Sequence, residues 1–456
     1  MQQKNFKFTT MQLLAAGFLG IILLGAILLW LPVSNTRPIA FIDALFTSVT
    51  SVCVTGLVTV TPAVQFTMFG KLVLLLLIQI GGLGIIACVT AFFIISKKRI
   101  SIKDRNMIRE AYGMEALSGM VAMIIRIVKG TFLVEGLGAI LFALHFVPEY
   151  GIIKGVWYSV FHAVSAFCNA GIDILGDSSF IEFAGNPLIN YNTMILIVIS
   201  GLGFPVWHDL AVNGRMVIRG ELSISRFFRK LRLHTKIVLV MTGALIVAGT
   251  LVFLLLESAN PETIGTMPGG ERLMAALFHS ISTRTAGFAT VPQAGLTEGT
   301  KFVSCILMFI GASPGGTAGG VKTTTIAMIL LTCLAVVRGE RDVECFGRRL
   351  RLENIRTGVC VVVIAFVALI TGTTLVTVFE GNVHFIDVLY ETTSAIGTVG
   401  LSADLTPQLS AASKAVIMIL MYIGRIGPIT FALAFGARKY PKNNIRQLPD
   451  QGILVG

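Results

Sequence analysis

Charged residues are scarce in this sequence. Only 13% of its 456 residues are Asp, Glu, Lys or Arg, whereas 54% are hydrophobic and the mean hydropathy is +0.83. A helix that crosses about 30 Å of hydrocarbon needs about 20 apolar residues. These properties exclude an ordinary soluble protein and predict a membrane protein with several spanning helices. Stretches long enough for this that contain no charged residue are 8–36, 72–96, 183–208, 237–256 and 357–379.

Patterns for metal binding, redox chemistry and catalysis are also missing. The seven cysteines show neither paired spacing nor a C-x-x-C motif, and the six histidines have no metal-ligand spacing. No paired carboxylates and no nucleophile next to a base indicate an active site. A membrane-embedded enzyme is therefore a weak alternative, and we predict that the protein is not an enzyme. The first apolar stretch lacks a clean signal-peptide cleavage site, so we predict that it is retained as a helix.

One short arrangement is present four times: a polar helical stretch, two small residues, a glycine and an apolar residue. It recurs about every 115 residues, each time between long apolar segments. Non-helical backbone at membrane depth is tolerated only where it is buried in protein or lines water. A ring of backbone carbonyls can replace the water around a cation, and glycine permits the close approach that such a ring needs. We therefore predict an ion selectivity filter formed by Val54, Thr55, Gly56, Asn169, Ala170, Gly171, Thr285, Ala286, Gly287, Thr398, Val399 and Gly400.

Each copy is predicted to be a repeat of two spanning helices with a short re-entrant pore helix between them. The pore helices are predicted at 42–53, 153–168, 269–284 and 385–397, and their partly negative C-terminal ends would favour cations at the centre. A shared aromatic residue precedes the glycine by ten residues in three repeats and by nine in the third, so the ring should be only approximately fourfold.

The predicted fold class is an all-α membrane protein. Four pseudo-symmetric helix–pore helix–helix repeats, with eight transmembrane helices in all, surround a central pore. The repeats are assigned to 1–96, 97–213, 214–337 and 338–456, and the last includes a short cytoplasmic C-terminal tail.

The net charge of +12 is unevenly placed. Most basic residues lie in 97–109, 215–236, 338–356 and 438–446, which share one side of the membrane if every repeat crosses it twice. Basic segments of this kind are typical of the cytoplasmic side. We therefore predict that these loops and both termini are cytoplasmic, and that the charge is a topology signal and not a nucleic-acid site. Docking of an acidic cytosolic partner on some of these loops is compatible with the pattern.

The last helices of the repeats are predicted at 66–96, 187–213, 299–337 and 407–436. The third contains a dense run of glycine with a proline, through which a regular helix does not continue comfortably. The run nearly matches a phosphate-binding loop, but Val321 interrupts the motif and no strand accompanies it, so we predict no nucleotide site in this chain. We predict a break into a flexible glycine-rich loop below the filter that opens or blocks the pore, formed by Gly311, Ala312, Ser313, Pro314, Gly315, Gly316, Thr317, Ala318, Gly319 and Gly320.

Arg425 adds a charge where the other repeats have Gly82, Gly201 and Ala312. An arginine at the membrane centre costs at least about 2.5–3.5 kcal/mol on insertion scales, so it should face the pore or a polar partner. We predict that Arg425 belongs to the gate and that carbonyls or hydroxyls of the 311–320 loop bind it. The alternative is a structural arginine that caps helix ends away from the pore.

Four other charged residues lie near the predicted filter or deep in an apolar segment. We expect Glu135 to pair with a neighbouring basic residue, and Arg284 to brace the third filter segment from behind. Asp173 and Asp404, just beyond the second and fourth segments, either add negative potential at the outer mouth or are ordinary loop carboxylates.

The fourfold unit, the segments Val54-Thr55-Gly56-Leu57 and Arg284-Thr285-Ala286-Gly287-Phe288, and the 311–320 loop resemble the Ktr/Trk/HKT potassium-transport superfamily. The ending Ile423-Gly424-Arg425-Ile426-Gly427-Pro428 is most similar to its Ktr-type membrane subunits. The resemblance covers essentially the whole chain. It implies a bacterial potassium-translocating subunit in the cell membrane, surrounded by lipid, that forms a homodimer with one pore per protomer.

The resemblance also implies a partner and an ion. The partner would be a cytosolic nucleotide-binding RCK ring of the KtrA or TrkA type that opens the pore. Glycine at all four filter positions goes with potassium selectivity in this superfamily, so potassium is the expected transported ion and sodium a candidate activator. The alternative is a secondary transporter of another substrate with a broken-helix binding site, which would more naturally show two matching halves than four copies.

Overall fold

The computed structural model of the protein describes residues 10–84, 88, 120–176 and 178–435. Four repeats follow one another in this part of the chain, and each consists of an outer helix, a pore helix and an inner helix. This arrangement confirms the predicted all-α fold class. A short hairpin of β1 (Glu344–Cys345) and β2 (Arg348–Arg349), between repeats 3 and 4, was not predicted.

The outer helices are the long first helices of the repeats, and each is long and apolar enough to cross a membrane. Their outward faces carry large exposed apolar side chains, for example Leu23 and Ile27 in repeat 1 and Leu133 and Leu137 in repeat 2. So much exposed apolar surface is compatible with lipid and not with water. The chain is therefore a multi-pass membrane protein. The outer helices are Thr10–Trp30, Met120–Tyr150, Leu233–Glu257 and Leu352–Glu380.

The pore helices confirm the predicted positions to within two residues at each end. They pack closely on the outer helices: the Ser48 hydroxyl donates a 2.6 Å hydrogen bond to the Ile22 carbonyl oxygen. A methyl group added at Gly25 would lie 2.5 Å from the same hydroxyl, so the absence of a side chain there lets the two helices approach. The pore helices are Phe41–Cys53, Ile152–Cys168, Gly269–Ser282 and Phe385–Gly397.

The inner helices of all four repeats end at a glycine with a positive φ angle. The inner helices are Met68–Leu83, Pro187–Leu202, Glu298–Ile310 and Ala411–Ile426. The terminal glycines are Gly84 (83°), Gly203 (90°), Gly311 (62°) and Gly427 (94°). Further helices follow the last three breaks at Phe204–Ile218, Thr323–Val337 and Pro428–Phe435.

The predictions of single inner helices over 187–213 and 407–436 were therefore wrong. In repeat 2 the chain bends by 96° between the two helices. Glycine supplies the conformation that ends the first helix, and Pro205 or Pro428 then occupies the first turn of the next helix, where proline is well tolerated. The predicted helix 66–96 ends at Leu83, and its remainder lies outside the described residues except for Gly84 and Cys88.

The repeats close into a ring. The inner helix of each repeat packs on the pore helix of the next, and the inner helix of repeat 4 packs on the pore helix of repeat 1. Ion pairs connect two of these interfaces, with 2.7 Å between the Lys301 ammonium and the Asp387 carboxylate and 2.7 Å between Lys414 and Asp43. The ring places the ends of the four pore helices around one centre. The exact repeat boundaries remain a prediction.

Candidate functional site

The four predicted filter segments meet at the centre of the ring. Each of their glycines faces a backbone carbonyl oxygen of the next repeat, in the cyclic order 1, 2, 3, 4 and back to 1. A methyl group added at any of them would lie 2.6 Å or less from that oxygen, so none tolerates a side chain without movement of the backbone. The pairs are Gly56 with Ala170, Gly171 with Ala286, Gly287 with Val399, and Gly400 with Thr55.

The backbone of the four segments has a shared and unusual conformation. The glycines have φ angles between 62° and 102°, and the residue two positions before each glycine also has a positive φ angle. A β-branched residue rarely adopts this conformation, and backbone strain of this kind clusters at functional sites. The residues are Val54 (56°), Asn169 (60°), Thr285 (83°) and Thr398 (51°).

The left-handed residues turn the chain away from the end of each pore helix. In repeats 1, 2 and 4 the N–H of the residue before the glycine binds the carbonyl oxygen five residues earlier, and in repeat 3 the bond spans four residues. This difference confirms the predicted departure from exact fourfold symmetry. The bonds are Thr55 to Thr50 (2.9 Å), Ala170 to Ser165 (2.8 Å), Val399 to Ser394 (2.8 Å) and Ala286 to Ser282 (2.9 Å).

A buried hydroxyl near the end of each pore helix supports its segment from behind, and none of these four residues was predicted from the sequence. In repeats 1 and 4 the hydroxyl accepts a hydrogen bond from the glycine itself. The Gly56 N–H donates to Thr50 Oγ1 at 2.9 Å, and the Gly400 N–H donates to Ser394 Oγ at 3.0 Å.

In repeats 2 and 3 the corresponding hydroxyl donates instead. Ser165 Oγ binds the Ile172 carbonyl oxygen at 2.6 Å, and Ser282 Oγ binds the Phe288 carbonyl oxygen at 2.5 Å. All four hydroxyl residues are completely buried. The sequence signal for them is a serine or threonine six residues before the glycine, or five in repeat 3, but such residues are too common in pore helices to be distinctive.

The glycine-rich loop at 311–320 packs against the first residues of the segments. Asn169 Nδ2 donates a 2.9 Å hydrogen bond to Thr317 Oγ1, which in turn donates to the Phe167 carbonyl oxygen at 3.2 Å. A methyl group added at Gly319 would collide with the Thr398 side chain. The loop therefore contacts the segments of repeats 2 and 4 directly.

The other side of the loop is joined to the broken inner helix of repeat 2. The Ser313 N–H donates to the Gly201 carbonyl oxygen at 3.1 Å, and the Phe204 N–H donates to the Gly315 carbonyl oxygen at 2.9 Å. A methyl group added at Gly203 would lie 2.5 Å from the Pro314 carbonyl oxygen. The break in this helix and the loop thus fit each other closely.

Arg425 connects the loop to two other repeats. Its guanidinium donates to the Thr317 carbonyl oxygen in the loop, and to the Gly81 and Gly82 carbonyl oxygens at the end of the inner helix of repeat 1. The expected loop carbonyl partner is thus confirmed, whereas the contact with repeat 1 was not predicted. Carbonyl oxygens are suitable partners, because the planar guanidinium presents several donors in a fixed geometry.

Lys322 brings a second positive charge to the loop, and its position there was not predicted from the sequence. Its ammonium donates to the Ala318 carbonyl oxygen at 2.6 Å and to the Gly319 carbonyl oxygen at 3.0 Å. Lys322 and Arg425 together bind carbonyls of three consecutive loop residues, Thr317 to Gly319.

Arg284 and Glu135, two charged residues predicted to have structural roles, are both buried. Arg284 is buried, and its guanidinium points to Thr242 of the outer helix at 3.4 Å, behind the third segment as predicted. Glu135 accepts hydrogen bonds at 3.0 and 3.3 Å from Gln79 Nε2, so the prediction of a basic partner was wrong. An uncharged amide can satisfy a buried carboxyl group, and only tertiary packing brings Gln79 to it.

Two acidic residues follow the second and fourth segments. The Asp173 carboxylate accepts the Leu175 N–H at 3.3 Å, as an ordinary turn residue does, and Asp404 is exposed. Their contribution to the electrostatic potential at the outer mouth remains a prediction.

Comparisons with known proteins agree with the fold. The sequence profile of the TrkH family, described as cation transport proteins, matches residues 4–447. Ktr system potassium uptake protein B of Bacillus subtilis is 36% identical over 453 residues, which cover 99% of this chain and 98% of that protein. The potassium/sodium uptake protein NtpJ of Enterococcus hirae is 36% identical over 459 residues, which cover 99% of this chain and 98% of that protein.

A solved structure has the same architecture. The crystal structure of the potassium transporter TrkH from Vibrio parahaemolyticus matches 95% of this chain and 86% of its own with a TM-score of 0.70. The sequence identity is 17%, so this similarity concerns the fold alone.

Proposed function

The chain belongs to the TrkH cation transport family, and from this premise we propose that it is the potassium-selective translocating subunit of a bacterial potassium uptake system. The proposal depends above all on one observation, the closed ring in which each of four glycines faces a carbonyl oxygen of the next repeat. The relatives named as potassium uptake proteins support potassium as the transported ion. We place the protein in the plasma membrane, with its basic loops and both termini in the cytoplasm.

The ring can act on a cation in two ways. Backbone carbonyls of Thr55, Ala170, Ala286 and Val399 would replace the water around a potassium ion as it passes. The C-terminal ends of the four pore helices point to the same centre, and their partial negative charge favours a cation there. A sodium ion remains a candidate activator, in line with the potassium/sodium uptake protein among the relatives.

The glycine-rich loop and Arg425 form the proposed gate. The loop lies against the filter residues Asn169 and Thr398, and Arg425 holds it to the inner helix of repeat 1. An ion that leaves the filter would have to displace this loop. In this proposal the gate opens when the Thr317 carbonyl loses its contact with Arg425 and the loop moves aside.

Opening requires free energy from elsewhere, and we propose that a cytosolic RCK ring supplies it. Such a ring, of the KtrA or TrkA type, would bind nucleotide itself and act on a homodimer of this chain. The basic loops at 215–236 and 338–356 suit an acidic cytosolic partner. The alternative of a secondary transporter is less favoured, because the inner helix ends at a positive-φ glycine in all four repeats and not only in two matching halves.

Potassium uptake by a transport-deficient bacterium that expresses this chain tests the proposal, with and without an RCK subunit and with sodium varied. Uptake should depend on the chain and increase with the partner. Absence of potassium uptake by the folded chain together with its RCK subunit would contradict the proposed function.

The filter assignment has its own test. Changing Gly400 to Ser places a side chain against the Thr55 carbonyl oxygen and should lower the potassium-to-sodium uptake ratio about tenfold, which corresponds to about 1.4 kcal/mol. Gly56→Ser should have the same effect. Gly243→Ser is the matched control, since a methyl group added there contacts no other atom within 4 Å. Unchanged ratios in both filter variants would remove the assignment.

A further inference from the structure

The four hydroxyls behind the filter divide the ring into two halves. Repeats 1 and 4 share one bonding mode, in which the hydroxyl accepts from the glycine N–H. Repeats 2 and 3 share the other, in which the hydroxyl donates to the carbonyl oxygen of the residue after the glycine. Since repeats 1 and 4 are neighbours in the ring and so are repeats 2 and 3, each mode occupies one side of the pore.

In repeats 1 and 4 the bond fixes the direction of a filter carbonyl. A trans peptide is planar, so the Gly56 N–H and the Thr55 carbonyl point in opposite directions. Because the N–H points back to Thr50, the Thr55 carbonyl must point forward to the pore. The same holds for the peptide between Val399 and Gly400, whose N–H points back to Ser394.

In repeats 2 and 3 the bond withdraws a carbonyl from the pore. The carbonyl oxygens of Ile172 and Phe288 are bound to hydroxyls on the pore helices, behind the filter. The equivalent carbonyls of Leu57 and Leu401 accept no hydrogen bond from any described residue. At the level just outside the glycine ring, the carbonyls that accept no hydrogen bond from a described residue therefore belong to repeats 1 and 4.

The residues that follow the filter glycines of repeats 2 and 3 also contact each other, which the corresponding residues of repeats 1 and 4 need not do for this inference. The Phe180 N–H donates to the Ala289 carbonyl oxygen at 3.0 Å, and the Ala289 N–H donates to Ser179 Oγ at 3.1 Å. The rings of Phe180 and Phe288 stack with 4.7 Å between their centroids. These contacts hold the Phe288 ring and the backbone of Ala289, whereas the Phe288 carbonyl itself is held by the Ser282 hydroxyl.

We propose that Thr50, Ser165, Ser282 and Ser394 are positioning residues for ion selection, and that the outermost cation in the filter is coordinated asymmetrically by the carbonyls of Leu57 and Leu401. The inference rests on the proposed function as a potassium filter. The hydroxyls act through the backbone and do not contact the ion. They set which carbonyls point to it.

The first test locates the ion in the unaltered protein. An experimental structure with rubidium or thallium should show the outer ion displaced from the filter axis, on the side of repeats 1 and 4. In the Ser165→Ala/Ser282→Ala variant the two released carbonyls can turn inward, and the ion should move towards the axis. An outer ion on the axis of the unaltered protein, with four equivalent carbonyl ligands, would overturn the asymmetry.

The second test measures selectivity. Thr50→Val and Ser394→Ala should lower the potassium-to-sodium uptake ratio about three- to tenfold, the factor that one net hydrogen bond produces. Ser394→Thr keeps a hydroxyl and should restore the ratio. Ser51→Ala is the matched control, because the neighbouring buried Ser51 hydroxyl bonds to the Thr47 carbonyl of its own helix. Size-exclusion chromatography in detergent shows that each variant is folded.

The outcomes separate this inference from the proposed function. If Gly400→Ser changes the ratio but folded Thr50→Val and Ser394→Ala do not, the hydroxyls are not positioning residues and the filter assignment stands. If the ratio also stays unchanged in Gly400→Ser, the filter assignment itself fails and this inference fails with it. A lowered ratio in Ser394→Ala that Ser394→Thr restores supports the inference.

Discussion

The proposed role of Arg425 in the gate rests on the contacts that its side chain makes. One guanidinium binds the Thr317 carbonyl of the loop and the Gly81 and Gly82 carbonyls of repeat 1. A hydrogen bond that involves a charged group contributes about 1.5–3 kcal/mol. The loss of one such bond is thus enough to shift a closed gate substantially towards the open form.

We therefore expect Arg425→Ala to raise potassium flux at least about tenfold in the absence of the RCK partner, since about 1.4 kcal/mol corresponds to a factor of ten. Flux is measured as rubidium uptake into vesicles that contain the purified protein. Arg425→Lys should give an intermediate flux, because an ammonium cannot reproduce the planar arrangement of donors. Arg356→Ala, at an exposed position, is the control. A wild-type flux in both Arg425 variants would argue against its role in the gate.

At the scale of elements, the loop and the filter are connected by the side chain of Thr317. Its hydroxyl accepts from Asn169, a filter residue, and donates to the Phe167 carbonyl at the end of the same pore helix. Movement of the loop must break both bonds. If the loop is the gate, as we propose, its movement is therefore mechanically coupled to the filter segment of repeat 2.

Thr317→Val removes both bonds and should raise flux in the absence of the partner by at least about three- to tenfold, the factor for one net hydrogen bond. Thr317→Ser keeps the hydroxyl and should behave like the unaltered protein. Thr332→Val serves as the control, because the Thr332 hydroxyl bonds to the Met328 carbonyl within its own helix. The coupling would be refuted if rubidium uptake were the same in all three variants.

The elements differ in how well the sequence predicted them. The pore helices were located closely, because their polar stretches stand out between apolar segments and end at the repeated glycines. The breaks at Gly203 and Gly427 were missed in otherwise apolar runs. The fit of Gly203 against the Pro314 carbonyl oxygen depends on a loop more than a hundred residues away, which local pattern does not reveal.

At the scale of the whole molecule, four short segments were predicted to converge, and the structure brings them together in sequential order around the ring. The hydroxyls behind them were not predicted, because their role depends on which way each peptide turns after the pore helix. The carbonyl partners of Arg425 in repeat 1 and of Lys322 in the loop are likewise products of tertiary packing. Residue type and spacing predicted where the site is, but not how its backbone is held.

Ion pairs between neighbouring repeats are distributed unevenly around the ring. Lysine is the fourth residue of the inner helices of repeats 3 and 4, and these lysines pair with Asp387 and Asp43 at the start of the next pore helix. Lys71 has the same place in repeat 1, but its ammonium donates to the Ala63 carbonyl oxygen at 2.7 Å. The interfaces on both sides of repeat 4 are thus joined by ion pairs, including the one that closes the ring.

Breaking the closing pair should destabilise the whole ring. Both side chains are mostly buried, with exposed fractions of 13% for Lys414 and 17% for Asp43, so Lys414→Met leaves a carboxylate without its partner and should cost about 3 kcal/mol. The double variant Lys414→Met/Asp43→Leu removes both charges and should recover much of that loss.

The free energy of unfolding in detergent measures these effects for the single and double variants. Lys71→Met provides the control, because it removes an ammonium at the equivalent position that donates to the Ala63 backbone carbonyl and not to a carboxylate. It should destabilise the protein less than Lys414→Met, since no buried carboxylate loses its counter-charge. Equal losses for Lys71→Met and Lys414→Met, with no recovery in the double variant, would show that ring closure does not depend on this ion pair.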